Sequence, residues 1–99
     1  MTDLADSLDR PAPPADLAPA AQALWWLAKG GFATGPDWER AHEIAQAHEG
    51  EQIYDAIHAL AHRIEGDTRN AGYWDRRAGT DLGGQGHQAE WDALAARLG

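Results

Sequence analysis

His58, His62 and Glu65 stand at i, i+4 and i+7. On a helix turning about 100° per residue, that spacing gathers all three within an arc of about 60°. Two imidazoles one turn apart can both reach a Zn²⁺ ion at about 2.0–2.1 Å, with the carboxylate as a third ligand and water in the fourth position. Zinc or another divalent transition metal is therefore one candidate cofactor. The His-Glu-x-x-His general base is missing, because Ala59 follows His58. The same stripe lies about 140° from the Ile53, Ile57, Leu60 and Ile64 face, where an amphipathic helix carries polar residues anyway, and that reading needs no cofactor. Glu65 is equally placed to pair with Arg77 or Arg69.

Further along, Asn70, Tyr73, Trp74 and Arg77 cluster on one segment. An arginine beside an indole can hold a carboxylate or phosphate against an aromatic wall, and it can equally snorkel to an acid while the indole fills a core. Folding the two segments together would bring His58, His62, Glu65, Asn70 and Arg77 to one groove, with His42, Tyr73 and Trp74 as further candidates. Glu39-x-x-His42 and Asp55-x-x-His58 have the spacing of di-iron bundles, but the inward acids required from two other helices are lacking. Gly84-Gln85-Gly86-His87-Gln88-Ala89 imitates a dinucleotide fingerprint without a preceding strand, and reads as a loop.

The elements that must position these groups are helical. Among 99 residues there are 21 Ala and no Val, with four Ile and four Thr, so strand formers are scarce and helix formers abound. A first helix is expected from Pro19 to the Gly30-Gly31 stop, and a second from Asp37 to about His48. A third runs from about Gln52 to Glu65, central to the core, and a fourth runs from Asp67 or Thr68 to Gly79. A fifth carries Trp91, Leu94, Ala95 and Leu98 on one stripe. The short Gly66-Asp67 turn forces the third and fourth to pack as an antiparallel hairpin. Residues 1–16, acidic and rich in proline, read as a flexible tail ahead of a single helical domain at 17–99. Trp26 falls opposite Leu24 and Ala28, which makes it the candidate interface anchor.

Composition narrows the function. The chain has no Cys, which excludes disulfides, thiolate nucleophiles and sulfur-ligated zinc, and its only Ser is Ser7. A net charge of −8 opposes phosphate backbones and anionic lipid surfaces. No run approaches the roughly 18 apolar residues of a membrane span, and the acidic N-terminus is unlike a signal peptide, so a cytoplasmic protein binding neither nucleic acid nor membrane is expected.

Ala59, Ala71 and Ala78, spaced by twelve and then seven, with the turn at Gly66, resemble one tetratricopeptide-type hairpin. More specifically, Ala41-His42, His58-Ala59, His62-Arg63-Ile64-Glu65-Gly66-Asp67, Asn70-Ala71, Tyr73-Trp74, Arg76-Arg77-Ala78-Gly79 and Glu90-Trp91 are similar to a family of small, largely uncharacterised bacterial proteins. The chain departs from that pattern at Asp75, where the family usually has Tyr. The resemblance implies a helical fold and brings no established activity. The leading expectation is thus an all-α, tetratricopeptide-like bundle of about five helices that serves as a protein-interaction or structural module, with a protein or a second copy as partner and no cofactor. The alternative is a metal- or small-anion-binding protein, an enzyme being one form of it, using His58, His62 and Glu65 near Arg77 and Asn70.

Overall fold

Proline and glycine place the helix ends. In the computed structural model, which describes residues 4–98, α1 (Pro19–Lys29) and α2 (Pro36–Ala47) each open on a proline, whose missing N–H costs nothing at that position. α3 (Gln52–Ile64), α4 (Thr68–Ala78) and α5 (His87–Leu98) complete the order, and no strand occurs among the described residues, so the chain is all-α. Asp67 caps α4: its Oδ1 accepts from the Asn70 backbone N–H at 3.1 Å and its Oδ2 from the Asn70 side-chain amide at 2.7 Å. Gly79 ends α4 in the left-handed region at φ 69°, where a Cβ would be strained. No helix among the described residues is long and apolar enough to cross a membrane.

α3 is the hub. It packs most extensively on α4 and also touches α1, α2 and α5. Ile57 and Leu60 meet Leu24, Leu27 and Leu94 in the core, and Ala23, Ala41, Ala45, Ala56 and Ala61 bury small side chains that let the helices approach closely. Two indole N–H groups tie helices together across this thin core: Trp38 donates to the Ala61 carbonyl at 2.8 Å and Trp91 to the Leu24 carbonyl at 2.7 Å.

Three expectations need correction. The start of the presumed flexible tail is docked: Leu4–Ser7 forms a 3-10 turn whose Ser7 hydroxyl accepts from the buried Trp25 indole at 2.9 Å, and Lys29 Nζ donates to the Leu8 carbonyl at 2.7 Å. The expected tail at 1–3 lies outside the described residues. Trp26 is half-buried and roofed by the Arg40 guanidinium, 4.9 Å from its ring centroid, so it offers no bare anchor. Leu98, expected on the buried stripe of α5, is 38% exposed. Glu90 is buried in that helix instead, for a reason that lies on α3.

Candidate metal centre

The imidazoles of α2 and α3 meet in the seam between those helices. Trp38 and His42 lie one turn apart on α2 and stack with centroids 5.0 Å apart, and the Trp38 bond to Ala61 sets the height of α2 along α3. On α3, His58 and His62 are likewise one turn apart and stack at 4.8 Å, while the Trp74 ring of α4 covers the His58 ring at 4.0 Å and 14°. His42 then stands edge-on to both, 4.7 Å from His58 and 5.3 Å from His62. One nitrogen from each of the three lies within 4.8 Å of the others.

The closest pair is His42 Nε2 to His58 Nε2, 3.0 Å apart. Two neutral imidazoles at that distance share one proton. If His42 donated it, His58 would carry its own proton on Nδ1, which is buried and has no hydrogen-bond partner. The cheaper arrangement has His58 donate through Nε2 and leaves Nδ1 as a bare acceptor. Burial, reinforced by His42 and His62, pushes the His58 pKa down to about 3. His42 is lowered too, first by burial and then by His62. Both rings are therefore neutral near pH 7, as metal ligation requires.

His62 completes the group from its open side. Its side chain is 12% exposed, and its Nδ1 meets Glu65 Oε1 at 2.5 Å. With the Nδ1 proton held by that carboxylate, the lone pair is confined to Nε2. Carboxylates play the same part behind metal-bound histidines, where they fix the tautomer and raise ligand basicity.

The expected trio of His58, His62 and Glu65 is thus rearranged. Glu65 supports His62, and His42 takes its place beside the other two imidazoles. Glu65 holds neither Arg77 nor Arg69. Glu65 does have a second grouping, with His62 and Asp67, whose ligand atoms also fall within 4.8 Å. The larger groove is not assembled. Asn70 is turned onto Asp67, and Arg77 lies over Trp74 at 5.2 Å and donates to the Tyr73 hydroxyl at 3.0 Å. Tyr73 is 44% exposed and stands at the rim. The di-iron pattern also fails, because Glu39 is exposed and Asp55 accepts from the Gly50 N–H at 3.0 Å.

One cluster escapes the sequence reading altogether. Arg63, beside His62, makes four charge-assisted bonds: Nε and Nη2 to Glu90 at 2.8 and 2.5 Å, and Nη1 and Nη2 to Asp75 at 2.8 and 2.9 Å. These bonds, to Asp75 first and to Glu90 next, raise the guanidinium pKa further above its usual value. Gly83 packs on the same guanidinium, since a Cβ built there would sit 2.8 Å from Nη1. The signal available beforehand was Asp75 itself, an acid placed on a helix side that otherwise faces a neighbour. Together these contacts join α3, α4, α5 and the loop before α5, and so hold Trp74 against His58.

No family model, curated protein or solved structure matches the chain.

Proposed function

We propose that this protein binds one divalent transition metal ion through His42, His58 and His62. The observation that carries the reading is the convergence of three imidazole nitrogens from two helices within 4.8 Å. Donors on a tetrahedral zinc stand about 3.3 Å apart for Zn–N bonds of about 2.0–2.1 Å, so the 3.0 Å His42–His58 pair needs only a small opening to admit an ion. Its entry moves the His58 proton to Nδ1, at the cost of a buried donor without a partner. The set is all nitrogen, which suits zinc, copper or nickel better than calcium or magnesium. The charge of −8 favours cation encounter. Glu65 supports the ligand set as the acceptor behind His62.

The test is isothermal titration of chelator-stripped protein with Zn²⁺, Cu²⁺ and Ni²⁺, alongside thermal melts. One equivalent is expected to bind, and an ion free at about 100 times its dissociation constant adds about 2.7 kcal/mol to stability. His42→Gln is expected to abolish binding while leaving the fold, because that ring is only half-buried. Absence of heat and of melting shift with all three ions refutes the proposal. The interaction-module reading draws less support, since Trp26 is roofed by Arg40 and the large apolar side chains exposed among the described residues are Tyr73 and Leu98.

A further inference from the structure

Resting on that metal reading, we infer that the bound ion keeps its fourth position for a small oxyanion, a carboxylate or carbonate, rather than for a fourth side chain. The argument is one of charge and of supply. All three ligating groups are neutral imidazoles, so a divalent ion held by them retains its full double charge in its inner shell. Two indoles wall the group: Trp38 backs His42 and Trp74 backs His58, at 5.0 and 4.0 Å. Behind apolar walls a charge is screened less than in water, which strengthens its attraction for an anion.

Among the described residues no carboxylate joins the three rings within 4.8 Å, and the exposed Glu43 and Glu49 act on His42 only from longer range. Glu65, the nearest carboxylate bonded to any of the three rings, is engaged at the far nitrogen of His62. Asp67 is taken up by the start of α4, and Asp55 by the Gly50 N–H. Access comes from the side where His42 is half-buried and the His62 side chain is 12% exposed, while His58 is sealed under Trp74. Water fills the position when no anion is present, as at other three-histidine zinc sites. A neutral ligand set, the lack of a fourth His, Asp or Glu ligand atom within 4.8 Å of the three among the described residues, and aromatic walls together make a receptor for a small anion.

Cobalt(II) reports on this directly, because its visible bands change with the fourth ligand. The cobalt-loaded protein is titrated with sodium acetate and with sodium bicarbonate, against potassium chloride at matched ionic strength. A saturating change of the bands with either oxyanion is expected, with no change in the chloride series. The melting temperature rises with acetate in the loaded protein alone. Cobalt that binds one to one and shows bands indifferent to both oxyanions overturns this inference and leaves the metal site standing, whereas failure of cobalt, zinc, copper and nickel to bind removes the site itself. Glu65→Gln separates the remaining case. If the wild type is silent and the variant responds, Glu65 is the fourth ligand and the anion proposal is wrong.

Discussion

Replacing Arg63 by Met tests the ion cluster that holds α4 and α5 on α3. The methionine keeps an aliphatic stem of similar length and removes all four charge-assisted bonds. Two carboxylates then lose their counter-ion, one of them on a Glu90 side chain 2% exposed, the other on Asp75 at 19%. Stranding a buried charge costs about 3–5 kcal/mol. Against the roughly 5–15 kcal/mol typical of a domain of this size, that is a large share of the total. At about 4–8 °C per kcal/mol, the melting midpoint falls by at least about 12 °C. Urea unfolding followed by tryptophan fluorescence reads the loss, and adding Glu90→Gln to the Met variant is expected to recover much of it by removing the more buried stranded charge. Arg63→Lys is expected to recover little, because an ammonium cannot span two carboxylates as the planar fork does. A loss below about 1 kcal/mol, or no recovery with Glu90→Gln, would show that the cluster is a surface ornament with solvent at its centre.

The remaining predictions concern the imidazoles and the docked N-terminal turn. His58 has a folded pKa of about 3, against about 6.5 when unfolded. The unfolded chain therefore takes up a proton first, and stability that is complete above about pH 6.5 drains away as pH falls toward 3. The metal-free protein is expected to lose about 2 kcal/mol between pH 7.5 and 5, a slope that His58→Leu flattens, measured by urea midpoints at each pH. Ser7→Ala strips the buried Trp25 indole of its acceptor and is expected to cost about 1–2 kcal/mol, whereas an unchanged midpoint would mean that the turn is not held to α1 through that bond.

Helix ends were legible because proline, glycine and aspartate act locally. Pro19, Gly66-Asp67 and Gly79 mark boundaries that the coordinates reproduce to within a residue. Partner choice was not legible, because it depends on which helices become neighbours. The histidine stripe sits opposite the Ile/Leu face, and an ordinary amphipathic helix would turn it to water. α3 has neighbours on every side, so its polar side is also an interface, and His58 is sealed there under Trp74. Trp25 and Trp26 are adjacent in sequence, and it is Trp25 whose indole the docked turn at Leu4–Ser7 accepts from and which is fully buried. Arg63 reaches an acid 27 positions away, a separation at which periodicity carries no information. The short Gly66-Asp67 turn marked the α3–α4 hairpin and was silent on all three points.

Gly83 carries a consequence for how the C-terminal third of the chain comes loose. Its φ lies outside the left-handed region, and what crowds a side chain there is the Arg63 guanidinium, 2.8 Å from where a Cβ would sit. The backbone there acts as a stopper: lifting it wets the ion cluster, and wetting the cluster weakens the grip on Glu90 and hence on α5. Loop opening and helix release become a single event, so amide protons of the 80–86 loop and of the first turns of α5 exchange at a common rate instead of fraying inward from Leu98.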